Sequence, residues 1–291
     1  MIDIIILSNS SKKDVLKTLN SILYQIFDGK IMIYILDYNK KIDYSDIVLD
    51  YSKVTSIKEL KYDDMNIGLA KQYALDNSKG DYIMFINSGD VLSFPFALDF
   101  MHSNIKEYDI VYTPYFEKYD EYYKYIKSDE ITINSKMFSK KFIVDNNIGF
   151  SNININISYS FNYLMKLKKA KMFCLDREIL ITKSRNIIKL DNEVYQLDYY
   201  DQYLNDVLFV IDNTKKNSEI ITEALYYSYL YYLANKKIKR KDDLKRILDK
   251  YNFKDDTIVK KNCISNDYLM NLLVNSSITF NEYLNRIKEW K

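Results

Sequence analysis

The chain has 291 residues, a length that allows either one large α/β domain with an appended piece or two domains. Its 42 lysines and arginines nearly balance its 40 aspartates and glutamates, which argues against nucleic acid or an anionic membrane as a partner. Two cysteines and one histidine argue against a zinc site and a histidine-dependent triad. With no signal-peptide pattern and no run near the ~20 apolar residues of a membrane span, we expect a soluble, cytoplasmic protein.

The first third of the chain predicts alternating strands and helices. The predicted elements are a strand at 3–7, a helix at 14–25, and strands at 31–36, 55–60 and 82–86. Ser11 and Asp14 form a capping pair for the first helix. A further helix begins near Gly68, and we expect Gly80 to end it in the left-handed conformation. This alternation is typical of a parallel sheet covered by helices.

Beyond residue 93 the pattern is less regular. The predicted elements are a short helix, a strand at 110–112, a tyrosine-rich hairpin turning near Asp120, helices at 137–146 and 159–169, and strands at 171–175 and 178–182. After residue 190 the patterns are only helical, at 194–211, 220–235, 241–251 and 280–290. We therefore predict a first domain over residues 1–190 and a helical C-terminal region over residues 191–291.

Five segments, in order along the chain, carry a resemblance to a known family. They are residues 4–9, 19–25, 35–39, 66–74 and 80–90. On these segments, residues 1 to about 185 resemble the family 2 glycosyltransferases, which have the GT-A fold. The resemblance implies an α/β, Rossmann-like fold with a mainly parallel central sheet. It also implies transfer of a sugar from a nucleotide donor to a hydroxyl group.

The donor site implied by the resemblance lies after the predicted strands, where ligands of open α/β sheets bind. Its residues are Ser8, Asn9, Asp37, Asn66, Lys71, Asn87 and Ser88. Asp37 would accept the imide N–H of uracil, which favours a UDP-sugar, and Lys71 would offset the diphosphate charge. Without the family pattern, Asp37 is a turn or capping aspartate and Lys71 is a solvated surface lysine.

Asp90 is the predicted metal ligand. The family's usual Asp-x-Asp motif is thinned here to residues 87–90, Asn-Ser-Gly-Asp, and keeps only the last carboxylate. Hard divalent cations prefer carboxylate oxygen, and a diphosphate supplies further oxygens, so the resemblance implies weakly bound Mn²⁺ or Mg²⁺. The same four residue types also suit a simple polar β-turn.

The catalytic base of inverting family members has no counterpart. Ile157 and Ser158 take the positions of its acidic pair, and no carboxylate occurs between Asp145 and Asp176. Asp176 and Glu178 are poor substitutes, so we name no base. Two hypotheses remain: an inverting, metal-dependent hexosyltransferase acting on a glycan or protein hydroxyl, or a degenerate protein that binds sugar nucleotides or has a structural role. An oxidoreductase is disfavoured, since no G-x-G-x-x-G follows the first strand.

Tyrosine is unusually abundant, with 29 residues. Aromatic residues clustered at 112–125 could stack on the sugar rings of an acceptor, although packing is the commoner role of such residues. A second cluster at 226–232 predicts burial against the first domain or a homo-oligomer contact through the C-terminal helices. The basic run at 236–241 is more typical of a loop between helices than of a membrane or polyanion contact.

Overall fold

A computed structural model of the chain describes residues 1–8, 11–38, 42–64, 66–127, 132–155, 158–183, 193–214 and 282. The chain divides into two compact units, Met1–Ile187 and Ile188–Lys291. The predicted helices at 220–235 and 241–251, nearly all of the helix at 280–290, the basic run and the second tyrosine cluster lie outside these described residues. Within the described ranges, no helix has the length and apolarity that a membrane crossing needs.

The first unit alternates strands and helices in its first half. In chain order its elements are β1 (Ile2–Ser8), α1 (Lys12–Leu23), β2 (Ile31–Asp37), α2 (Ser45–Tyr51), β3 (Ser56–Lys61), α3 (Ile67–Asn77), β4 (Tyr82–Asn87), β5 (Val91–Leu92), α4 (Ala97–Ile105), β6 (Ile110–Tyr112), β7 (Tyr115–Lys118), β8 (Tyr123–Ile126), β9 (Lys136–Ser139), α5 (Lys140–Asp145), α6 (Tyr159–Leu167), β10 (Met172–Cys174) and β11 (Leu180–Lys183). In the second unit, α7 (Glu193–Asn213) agrees with the predicted helix at 194–211.

The strands form two sheets. The large sheet has the order β10-β6-β9-β4-β1-β2-β3, and all its neighbours are parallel except β9, which runs antiparallel to β4 and β6. The small sheet has the order β5-β11-β7-β8. Every residue of β1 is buried, as expected of a central strand covered on both faces. The predicted α/β class with a mainly parallel central sheet is therefore confirmed.

One predicted helix, at 137–146, is partly wrong. Its first residues form β9, and the helix α5 starts only at Lys140, with Ser139 as N-cap. Phe138 is fully buried and pairs in register with Ile83 of β4 and Ile110 of β6. Pairing with two strands distant in sequence outweighs the local helical pattern of this segment.

The predicted role of Gly80 is also wrong. Helix α3 ends at Asn77 with Ser78 as C-cap, and among the described glycines only Gly89 has a positive φ. Gly80 instead allows a close approach to Asp3, because a Cβ at Gly80 would lie 2.7 Å from Asp3 Oδ1. The backbone N–H of Gly80 donates to Asp3 Oδ2 at 2.7 Å. The glycine thus fixes the start of β4 beside β1.

Candidate functional site

Four residues of the predicted sugar-nucleotide site lie together at the carboxyl ends of β1, β2 and β4. They are Ser8, Asp37, Asn87 and Ser88. Ser8 pairs in register with Asp37, and Leu7 pairs with Asn87. The backbone N–H of Ser88 donates to the carbonyl oxygen of Leu7 at 2.9 Å. All four polar residues are buried, which is uncommon for polar side chains. Asn9, the fifth predicted residue of this edge, lies outside the described residues.

Asp37 is the last residue of β2, and its side chain is almost completely buried. The next helix, α2, has Tyr44 as its N-cap residue, so Asp37 does not cap it. The capping interpretation of Asp37 is therefore wrong. A buried carboxylate at a strand end is placed to accept a hydrogen bond from a ligand N–H, and the low local dielectric strengthens such a bond.

Tyr44 is a site residue that the sequence reasoning missed. Its hydroxyl forms a 2.6 Å hydrogen bond with Ser8 Oγ, and the ring is fully buried. Burial raises the pKa of the Tyr44 phenol, and the charges of Asp37, Glu59 and Asp14 raise it further, against a lowering by the bond from Ser8. The phenol therefore keeps its proton and holds Ser8 in place. No sequence pattern marks Tyr44, since it follows a polar loop.

Residues Asn87 to Asp90 form a tight turn. The backbone N–H of Asp90 donates to the carbonyl oxygen of Asn87 at 3.1 Å, and Gly89 has φ +93°. The turn interpretation of this segment is therefore correct as geometry. The turn also points the Asp90 carboxylate inward. Its Oδ1 accepts a hydrogen bond from the backbone N–H of Lys183 at 2.9 Å, and its Oδ2 accepts one from Asn87 Nδ2 at 3.1 Å. Asp90 is fully buried.

A polar stripe on α1 holds this turn. The side chains of Lys17, Thr18 and Ser21 bond to the segment 89–92, and the backbone carbonyl of Asp14 accepts the N–H of Gly89. Thr18 is central, because its hydroxyl donates to the carbonyl oxygen of Asp90 at 2.7 Å and accepts the N–H of Gly89 at 2.8 Å. The helix was predicted from its apolar face alone. The helical spacing of Lys17, Thr18 and Ser21 was the available signal.

Asp90 is the carboxylate of this site that could hold a divalent cation. Among the described residues, no group of three His, Cys, Asp or Glu side chains could hold a metal ion. Asp90 offers one carboxylate, so a cation held there would need further oxygen ligands from a bound diphosphate. Mg²⁺ is commonly bound by one or two carboxylates together with substrate phosphates. Asp90 therefore fits a cation that is shared with the oxygens of a bound diphosphate.

Asn66 caps α3 and ties it to a distant segment. Its Oδ1 accepts the backbone N–H of Leu69 at 2.8 Å, as expected of an N-cap asparagine. Its Nδ2 donates to Asn152 Oδ1. Asn66, a residue of the predicted sugar-nucleotide site, thus connects the start of α3 to the segment before α6, in addition to any contact with a ligand.

Gly68 is required by a close approach rather than by its backbone angles. Its N–H donates to the carbonyl oxygen of Ile153 at 3.0 Å, and a Cβ at this position would lie 2.0 Å from the carbonyl oxygen of Ser151. No side chain fits that space. The Asn-x-Gly pattern at 66–68 is therefore explained by contact of the first turn of α3 with residues 151–153.

Lys71 is fully buried, so its interpretation as a solvated surface lysine is wrong. Its Nζ donates to Ser158 Oγ at 2.9 Å and lies 5.8 Å from the centroid of the Phe150 ring. Ser158 is the N-cap residue of α6 and takes the position of the acidic pair expected from the resemblance. At this position the structure therefore has a hydroxyl beside an ammonium group, while Ile157 lies outside the described residues.

A cavity of about 730 Å³ lies elsewhere, next to the amino end of β4. Gly80, Tyr82 and Lys140 are among its lining residues, and none of the predicted site residues that the structure describes lines it. Ligands of parallel sheets bind at the carboxyl ends of the strands, so the buried polar residues there remain the candidate site.

Comparison with known proteins gives the family. Residues 3–168, more than half of the chain, match the family model Glycosyl transferase family 2. A comparison with curated proteins finds no match. Among solved structures, residues 1–349 of S. aureus TarS in complex with UDP align with 99% of this chain and 90% of that one, at TM-score 0.67 and 14% identity.

Two further structures show the same fold. TarS 1–349 in complex with UDP-GlcNAc gives the same coverage, TM-score and identity. The mannosyltransferase PcManGT from Pyrobaculum calidifontis, in complex with GDP-Man and Mn²⁺, aligns with 99% of this chain and 87% of that one, at TM-score 0.54 and 9% identity. Together with the family match, these likenesses confirm the GT-A fold, and the chain belongs to glycosyltransferase family 2.

Proposed function

We propose that the chain transfers a sugar from a UDP-sugar to a hydroxyl group of an acceptor, with inversion at the anomeric carbon. The observation that carries the proposal is the meeting of buried Ser8, Asp37 and Asn87 at the carboxyl ends of three parallel strands. In a family 2 glycosyltransferase, this edge is where a nucleotide sugar is expected to bind. The TarS structures, with UDP and UDP-GlcNAc, support the choice of a uridine nucleotide.

Asp37 gives the proposed site its base preference. An ionised carboxylate accepts the imide N–H of uracil more strongly than a neutral amide would. Ser8, held by the Tyr44 hydroxyl, lies beside Asp37 in the neighbouring strand. Because Asp37 is buried, water competes little for its hydrogen bond to uracil. Removal of the Asp37 charge should therefore weaken uridine binding.

Asp90 is proposed to hold Mn²⁺ or Mg²⁺ together with the donor diphosphate. When bound, such a cation neutralises the charge that develops on the leaving diphosphate. Asn87 and the backbone of Lys183 orient the carboxylate of Asp90, and Thr18 fixes the backbone of the turn. The Mn²⁺ in the PcManGT complex supports the choice of a divalent cation.

In the proposed reaction, the acceptor oxygen forms a bond to the anomeric carbon while the bond from that carbon to the diphosphate breaks. UDP leaves with the bonding electron pair, and the acceptor hydroxyl loses its proton to a base. Lys71 adds positive charge near the start of α6, although its bond to Ser158 places it there independently of a ligand. We assign the base to no residue.

A second candidate function is binding of the nucleotide sugar without turnover. The bond from Lys71 to Ser158 favours it, because an ammonium group beside a hydroxyl takes the place where a carboxylate base is expected. Such a pair does not accept the acceptor proton at neutral pH while the lysine is charged.

The two candidates are separated by a panel of UDP-, GDP- and dTDP-sugars with Mn²⁺, measured as thermal shift and as nucleotide release. The transferase predicts stabilisation by a UDP-sugar and release of UDP that increases when an acceptor is supplied. Stabilisation without release, with a panel of acceptors present, would favour the binding protein. Stabilisation by none of the nucleotides would contradict both.

A further inference from the structure

The two faces of the small sheet differ sharply. Side chains alternate between faces along a strand, so the strand register assigns each residue to one face. The face turned to the core carries Leu92, Leu180 and Tyr115, which are all buried. The opposite face, here called the aromatic face, carries Val91, Ile181, Phe116, Tyr123 and Tyr125, together with Lys118 and Lys183.

The aromatic face leaves large rings in contact with solvent. Tyr123 and Tyr125 are 54% and 49% exposed, and both belong to the edge strand β8. The Phe116 ring lies between them, with ring centroids 6.3 Å from Tyr123 and 5.9 Å from Tyr125. Contiguous exposed rings of this kind are uncommon on a surface without a ligand or partner.

The aromatic face starts at the candidate site. Val91 directly follows Asp90, and the backbone of Lys183, at the end of β11, donates to Asp90 Oδ1. Three strand-to-strand steps of ~4.8 Å then separate Val91 from Tyr125, a span of about 14 Å. A short oligosaccharide covers that distance. Its end would lie close to the turn formed by Gly89 and Asp90, while its other sugar rings lie over the aromatic residues.

Groups around the rings suit hydroxyl-bearing molecules. Lys118 Nζ lies 5.8 Å from the centroid of the Tyr123 ring, on the same face. Desolvation and the charges of Glu178, Asp176 and Cys174 raise the pKa of Tyr125, so its hydroxyl keeps its proton. The ammonium group of Lys118 can donate hydrogen bonds to hydroxyl groups, and the carboxylates of Glu178 and Asp176 can accept them. Their balance does not favour a polyanion or a basic peptide.

We propose that the aromatic face binds the acceptor of this enzyme, and that this acceptor is a glycan whose sugar rings stack on Phe116, Tyr123 and Tyr125. The inference rests on the proposed function and narrows its acceptor from any hydroxyl-bearing molecule to a carbohydrate chain. Tyrosine suits this role because an apolar ring carries a polar hydroxyl at its end.

The test uses the full chain and a double variant, Tyr123→Ala with Tyr125→Ala. Binding is measured to immobilised tetrasaccharides of glucose, N-acetylglucosamine, galactose and mannose, and to an array of hydroxyl-rich peptides. The paired variant Tyr123→Phe with Tyr125→Phe keeps both rings. Tyr24→Ala removes a tyrosine that is 79% exposed at the end of α1, outside the aromatic face. UDP binding with Mn²⁺ is measured for every variant.

We expect the wild type, the Phe pair and Tyr24→Ala to retain at least one tetrasaccharide, and the Ala pair to lose about tenfold in its affinity. UDP binding should be unchanged in all variants. The proposal is overturned if the Ala pair binds glycans as the wild type does, or if the wild type retains no tetrasaccharide. Absence of UDP binding with glycan binding intact would instead contradict the proposed function.

Discussion

Lys71 Nζ donates a hydrogen bond to Ser158 Oγ at 2.9 Å, and both residues are buried. The bond joins α3 to the N-cap residue of α6, and these two helices lie far apart in the sequence. A buried ammonium group costs free energy unless its N–H groups are hydrogen-bonded. The contact therefore stabilises the fold beside the candidate site, whatever its part in the reaction.

Ser158→Ala is expected to lower the free energy of unfolding by about 1–3 kcal/mol, because the buried ammonium group of Lys71 loses an acceptor. Urea denaturation measures the change. Ser52→Ala is the control, since Ser52 is exposed and its hydroxyl bonds locally to Leu49. That control should change stability by less than about 0.5 kcal/mol. Equal losses in the two variants would show that the Lys71 contact contributes nothing.

Thr18→Val should weaken Mn²⁺-dependent UDP binding by about tenfold, because it removes two hydrogen bonds that fix the turn at Gly89 and Asp90. Valine has nearly the same shape, so the fold should persist. Thr18→Ser keeps the hydroxyl and should bind UDP nearly as the wild type does. Isothermal titration gives both affinities. Wild-type affinity in Thr18→Val would mean that the hydroxyl does not support the site.

Gly68→Ala is expected to cost about 1–3 kcal/mol of stability or more, because its Cβ would lie 2.0 Å from the backbone oxygen of Ser151. Gly149→Ala is the matched control. Its Cβ would meet the end of the Gln72 side chain, which can move more easily than backbone. Thermal unfolding should therefore show a larger loss for Gly68→Ala, and the reverse order would contradict the close approach.

Much of this architecture can be predicted from the sequence, because it depends on local patterns. The apolar runs that form β1, β2 and β4 place Ser8, Asp37 and Asn87 at one edge of the sheet. What could not be predicted depends on register between distant segments. The burial of Lys71 depends on α6, and the bond from Tyr44 to Ser8 spans 36 residues.

The helix predicted at 137–146 shows the same limit. Met137 and Phe138 carry apolar side chains that suit a helix as well as a strand. They form a strand because β9 pairs with β4 on one side and with β6 on the other. Likewise, Gly80 has the residue type of a helix cap, but its neighbour in space is Asp3. In both cases the deciding contact comes from a segment that is distant in the sequence.

We expect His102 to make the free energy of unfolding depend on pH near neutrality. Its ring packs edge-on against Phe27 and Tyr82, and burial, with Lys106 and the amino terminus nearby, lowers its pKa below 6.5. Because the folded pKa is below the unfolded value, the stabilising contribution is present above about pH 6.5 and is lost as pH falls towards the folded pKa.

Denaturation at pH 7.5 and pH 5.5 tests this dependence. His102 is the only histidine in the chain, so His102→Phe should remove most of the loss of stability between these two values. Asp43, Asp46 and Asp81 have lowered pKa values, and their contributions are lost only as pH falls below about 4. An unchanged pH dependence in His102→Phe would show that another group titrates in this range.

The most direct test of the account is the effect of Mn²⁺ on UDP affinity in Asp90→Asn, with Asp50→Asn as the control. Asp50 is an exposed carboxylate of α2, and its loss should not affect the site. Isothermal titration should show that Mn²⁺ increases the UDP affinity of the wild type and of Asp50→Asn. In Asp90→Asn this Mn²⁺-dependent increase in UDP affinity should be smaller by at least about tenfold. The same Mn²⁺ gain in all three proteins would contradict a metal-dependent nucleotide site built on Asp90.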